Sequence, residues 1–110
     1  MSPSKQKGTA FETAVVRVLR NVFPYAERAP LAGNKDRGDI TGTPGLVWEC
    51  KNVRTLRLGE WIDETETERI NADADYGILV VKRHGRGNPL ESFAIMSLYD
   101  MANLLKDAGY

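Results

Sequence analysis

The chain has 110 residues, 42% apolar and 27% charged, which suits one folded domain with a single core and argues against disorder. Its 15 basic and 15 acidic residues cancel, but residues 1–58 hold ten Lys or Arg against five Asp or Glu and residues 59–110 hold five against ten, so one basic and one acidic face are expected. A single cysteine excludes an intramolecular disulfide and a multi-cysteine zinc site; no apolar run is long enough to span a bilayer, and residues 1–7 lack the apolar core of a secretion signal, so a cytoplasmic protein without a membrane partner is expected.

Residues 1–7 read as a flexible tail of one domain covering 1–110. Residues 9–23 read as a helix: Phe11, Val15, Val18, Leu19 and Val22 share a stripe, and Pro24 stops it. Thr9 and Glu12 match a capping box, which competes with a role for Glu12 as an acid in a site. Residues 25–31 suit a short edge strand bearing Arg28. The loop 32–38 carries Lys35 and Arg37 and suits either a phosphate contact or a solvated connection.

Two strands are expected near 38–41 and 46–52, joined by the turn-rich Thr41-Gly42-Thr43-Pro44-Gly45. Strand alternation puts Glu49 and Lys51 on one face and Trp48 and Cys50 on the other. A returning strand would bring Asp39 to Glu49, and two crowded carboxylates call for a cation. The pattern reads as a divalent-metal site with a lysine beside it, followed by a basic exit at Arg54 and Arg57.

A second helix is expected from 58 or 59 to about 73, with Leu58, Trp61, Ile62, Thr65 and Ile70 as its apolar stripe. Its acids Glu64, Glu66 and Glu68 read as a solvated face turned away from any site. Residues 76–82 form the strongest strand, apolar enough to be covered on both sides. The basic turn 83–89 then leads to an antiparallel strand at 92–96. His84, in that turn, is given no catalytic role. Ser97 caps a last helix whose Leu98, Met101, Leu104 and Leu105 read as core or dimer contact.

This order of elements, with Gly38-Asp39 and then Glu49-Cys50-Lys51, resembles the PD-(D/E)XK nuclease superfamily, with Gly38 where the signature often has proline. Within it the chain is most similar to the archaeal-type Holliday junction resolvases, through Lys7-Gly8, Glu12, Arg28, Gly38-Asp39-Ile40 and Glu49-Cys50-Lys51. The resemblance implies a restriction-endonuclease-like α/β domain, a central mixed five-stranded sheet flanked by helices in the order αβββαββα. It implies Mg²⁺, with Mn²⁺ as substitute, held by Asp39, Glu49, the Cys50 main-chain carbonyl and Glu12. Glu12, Asp39, Glu49 and Lys51 are then the catalytic set, Lys51 positioning or activating water and offsetting phosphate charge.

On this resemblance the partner is DNA, four-way or otherwise branched, cut by a homodimer in a prokaryotic or phage-infected cell. Lys7, Arg28, Lys35, Arg37, Arg54, Arg57, Lys82, Arg83 and Arg86 become backbone contacts blind to base sequence. Two alternatives stay open: a nuclease of the same kind acting on duplex or single-stranded ends, and a non-catalytic DNA-binding module on the same fold.

Overall fold

In the computed structural model, which describes residues 2–30 and 35–110, the elements follow in the expected order. Helix α1 (Pro3–Leu19) precedes strands β1 (Glu27–Arg28), β2 (Ile40–Thr41) and β3 (Leu46–Lys51). Helix α2 (Leu58–Ala72), strands β4 (Tyr76–Val81) and β5 (Phe93–Ile95), and helix α3 (Leu98–Asp107) complete the α/β domain. Met1, Leu31 and the loop residues Ala32, Gly33 and Asn34 lie outside the described residues.

Helix α1 starts earlier than its apolar stripe suggests. Ser2 caps it, its hydroxyl accepting from the Lys5 N–H at 3.3 Å, and Pro3 follows in the first turn, where a missing N–H costs nothing. The expected tail is therefore helical from Pro3. Thr9 lies inside the helix, its carbonyl accepting from the Thr13 hydroxyl at 2.9 Å, so the expected capping box does not form and Glu12 is free of that duty.

The strands form two sheets rather than one sheet of five. β4 lies between β3, to which it is parallel, and β5, to which it is antiparallel; β1 and β2 pair separately as a short antiparallel ribbon. The ribbon abuts β3 through the backbone bond from Asp39 N–H to Trp48 O at 2.7 Å. One step further along, the Cys50 N–H donates to the Asp39 carboxylate at 2.8 Å, so a side chain takes the place of a neighbouring strand's carbonyl and the ladder ends.

Alternation in β3 and β4 divides the interior. Trp48, Ile78 and Val80 face α1, where they pack with Phe11, Val15 and Val16. Leu79 and Val81 face α2 and pack on Trp61. Glu49 and Lys51 share that second side by strand periodicity. The buried residues of α2 are Trp61, Thr65 and Glu68, at spacings of four and three, while Ile70 is 62% exposed; the expected stripe is thus rotated, and an acid occupies the place given to an isoleucine.

Helix α3 is capped by Ser97 as expected, its hydroxyl accepting from the Asp100 N–H at 3.1 Å. Its apolar stripe is not core: Leu98 and Leu105 are exposed, and Met101 and Leu104 only half-buried. Of the two expected roles for that stripe, core is overturned, because no residue of the helix is buried.

Close approach of α2 to the sheet depends on Gly77. A Cβ there would stand 2.9 Å from the Thr65 methyl and 3.3 Å from its carbonyl. Gly77→Ala is expected to destabilise the protein by about 1–3 kcal/mol through overpacking, read as a lower midpoint in urea unfolding with an unchanged slope.

Candidate metal centre

Asp39 is held from both sides. Its N–H donates to Trp48 O, its carbonyl accepts from Ala29 N–H at 2.9 Å, and its carboxylate takes the Cys50 N–H. Gly38 makes this possible. Its φ is +95°, and a Cβ would sit 2.8 Å from Trp48 O and 2.9 Å from a Val47 methyl. Because the N–H and C=O of a strand residue point the same way, the Cys50 carbonyl also faces the Asp39 side. The Cys50 thiol is pushed upward by burial and by the surrounding carboxylates, so this residue offers its backbone and not its sulfur.

Glu49 is 4% exposed and meets two other carboxyls. Burial first, then Glu68 and Asp39, push its pKa far above the usual 4.5. Glu68 reaches the same place from α2 and is 1% exposed; burial and Asp36 push it upward, against a lowering by Glu49. Among the described residues neither Glu68 oxygen has a hydrogen-bond partner, and neither does Oε2 of Glu49. Asp36, Glu49, Glu64 and Glu68 bring one carboxylate oxygen each to within 4.8 Å of one another.

Lys51 lies beside this group. Its ammonium is 2.9 Å from Oε1 of Glu64 and 5.8 Å from the centre of the Trp61 ring. Burial pulls its pKa down, but the Glu64 hydrogen bond and the Glu49 charge outweigh that and hold it above 10.5. At neutral pH it is a cation, suited to balancing charge rather than taking up a proton.

The expected solvated face of α2 is corrected here. Glu66 does turn outward, forming an ion pair with Arg69 at 2.6 Å. Glu64 and Glu68, four residues apart and so on one face of the helix, turn toward Glu49. Glu12 comes to the Asp39 side from α1 and is bonded to Arg28 at 3.3 Å; burial and Asp39 raise its pKa while Arg28 lowers it. It stands outside the four-carboxylate group.

The expected DNA contacts fall into separate sets. Arg28, Lys35 and Arg37 line an open cleft with Glu12, Asp36 and Asp39. Lys7, Lys82 and Arg86 surround a small cavity floored by Phe11 and Ala14, on another side of α1. Arg54 and Arg57 are exposed on the connection after Lys51, with Arg57 paired to Glu60 at 3.6 Å. Arg83 lies over the Phe93 ring, and His84 is exposed.

The donors are carboxylates and a carbonyl, with no imidazole or thiolate. An all-oxygen set fits a hard divalent ion such as Mg²⁺, Mn²⁺ or Ca²⁺. No protein-family model, curated protein or solved structure matches the chain.

In metal-free buffer the two raised carboxyls make stability fall with pH. Above about 4.5 the unfolded chain releases protons that the folded pair retains, so the native state binds more protons and ΔG of unfolding drops as pH rises. Urea unfolding between pH 5 and 8 is expected to show this decline. Glu68→Gln, similar in size and always neutral, is expected to make it shallower while leaving the contribution of Glu49; parallel profiles for the two proteins would contradict the assignment.

Proposed function

We propose that the protein is a metal-dependent DNA endonuclease with a restriction-endonuclease-like core, acting on branched DNA in the manner of the Holliday junction resolvases it resembles. One observation carries the reading. Asp39, Glu49 and the Cys50 carbonyl converge at the junction of β2 and β3, with the Lys51 ammonium on the same strand, and Asp39 also lines an open cleft that carries Arg28, Lys35 and Arg37.

Asp39 and Glu49 supply the charge that binds the ion, and the Cys50 carbonyl completes an oxygen face. When bound, a divalent ion lowers the pKa of a coordinated water and stabilises charge developing on the phosphate. Lys51, permanently charged by its contact with Glu64, offsets the negative charge that builds up during in-line attack. Arg28 holds Glu12 beside Asp39 and presents its remaining N–H groups to the cleft. Lys35 and Arg37 meet the backbone of the entering strand, making binding salt-dependent and indifferent to base sequence.

The homodimer implied by paired incision has a candidate face in α3, where Leu98 and Leu105, seven residues apart on one side of the helix, are both exposed. Leu98→Glu is expected to convert a dimer into a monomer in sedimentation while leaving the circular dichroism spectrum unchanged.

The activity test uses labelled four-way junction, nicked, duplex and single-stranded DNA with Mg²⁺, Mn²⁺ or EDTA. Symmetric cuts confined to the junction are expected with either metal and not with EDTA, and Asp39→Asn and Lys51→Ala are each expected to slow them by a factor of about 100 or more. Equal cutting of all substrates would favour an end-processing or restriction-type nuclease. A junction bound but left intact in both metals would overturn the catalytic reading.

A further inference from the structure

Around Glu49 there are two sets of oxygens. One is Asp39 with the Cys50 carbonyl, on the β2 side. The other comes from α2 and the loop before β2: Glu64, Glu68 and Asp36, each within 4.8 Å of Glu49 and of one another through one oxygen, a group that does not include Asp39. A cluster of acids can simply be a solvated surface, but this one is not. Glu68 is 1% exposed and Glu49 4%, and three of their four oxygens have no partner among the described residues.

Leaving a buried polar atom without a partner costs about 1–3 kcal/mol. Protons shared among these carboxyls and the neighbouring Asp39 and Asp36 are one way to satisfy those oxygens. A cation at the centre of the group is another, reaching one oxygen of each of the four carboxylates.

We propose that Glu49, Glu64, Glu68 and Asp36 hold a second divalent cation, with Glu49 bridging it to the ion held by Asp39 and the Cys50 carbonyl. The word second rests on the nuclease reading; the four-carboxylate site itself does not. The surrounding structure positions these ligands. Gly77 lets α2 lie close to the sheet, which brings Glu68 to Glu49. Asp36 is fixed by the Gly38 N–H on its carboxylate at 2.9 Å and by the Asn71 amide, from the last turn of α2, on its carbonyl at 2.9 Å. Lys51 occupies Oε1 of Glu64 and leaves the other oxygen for the ion, while its charge offsets part of the surplus of four carboxylates.

The ligand class follows from this geometry. Four carboxylates, two of them nearly inaccessible, require an ion to shed most of its water. Mg²⁺ does so reluctantly, so Mn²⁺ or Ca²⁺ is favoured at this position and Mg²⁺ at the more open Asp39 side.

The test is Mn²⁺ binding to the full chain without DNA, counted by the loss of the free-ion electron paramagnetic resonance signal. Two ions per chain are expected for the wild type, and one each for Glu68→Gln and Asp39→Asn. Glu64→Gln alters a half-exposed residue and so guards against misfolding of the Glu68 variant; it is expected to weaken the α2 site at least tenfold. Terbium emission sensitised by the adjacent Trp61 is expected in the wild type and in Asp39→Asn, and to fall severalfold in Glu68→Gln. One ion per chain, lost in Asp39→Asn and retained in both α2 variants, would overturn the second site and leave the nuclease reading standing. No bound ion would overturn both. Two ions with the expected variant pattern but no DNA cleavage would support the site and overturn only the nuclease reading.

Discussion

Two carboxyl groups, from β3 and α2, meet in the interior of this protein with no donor between them among the described residues. Moving an ionised carboxylate out of water costs several kcal/mol even after relaxation, and like charges add to that cost. Glu49 and Glu68 thus stay together only if protons or cations neutralise them, and the fold does nothing to separate them. Gly77 lets the helix approach, the parallel pairing of β3 with β4 sets Glu49 opposite Leu79, and Trp61 and Thr65 fill the rest of the interface. Tight packing around a repulsive pair is the arrangement expected of a binding site whose stability is given up in the empty state.

The two faces of β3 have different tasks. Trp48 and Cys50 pack toward α1, and the Trp48 indole N–H is held by Thr43 at 2.9 Å, which secures the turn between β2 and β3. Glu49 and Lys51 face α2 and carry the charge. Asp39 joins the faces from the strand edge, where its carboxylate takes over a backbone partner's role toward Cys50. That substitution ends the ladder between the ribbon and the main sheet, so the break in the expected five-stranded sheet and the location of the candidate site share one cause.

Most of the scaffold could be read in the sequence because its signals are local. The apolar run of β4, the turn residues between β2 and β3 and the Ser97 cap each depend on a few adjacent residues. The convergence of Asp39 with Glu49 also followed from alternation and a short turn. What misled was a choice between equally local alternatives: the Thr9–Glu12 box had a competitor in Ser2-Pro3, which caps the helix earlier. Glu64 and Glu68 were hidden differently. Taken with Glu66 they scatter around the helix, yet as a pair four residues apart they share a face, and Glu68 continues the Trp61 and Thr65 spacing inward. Their role depends on what stands opposite them, and that is a tertiary fact.

The central claim is that a cation, and not a shared proton, holds Glu49 and Glu68 together. It is tested most directly by anomalous scattering at the manganese edge from a crystal soaked in Mn²⁺. The account predicts an anomalous peak within coordinating distance of Glu49 and Glu68, with a neighbouring peak at Asp39. A map without a peak between those carboxyls, their oxygens instead in direct contact, would contradict it.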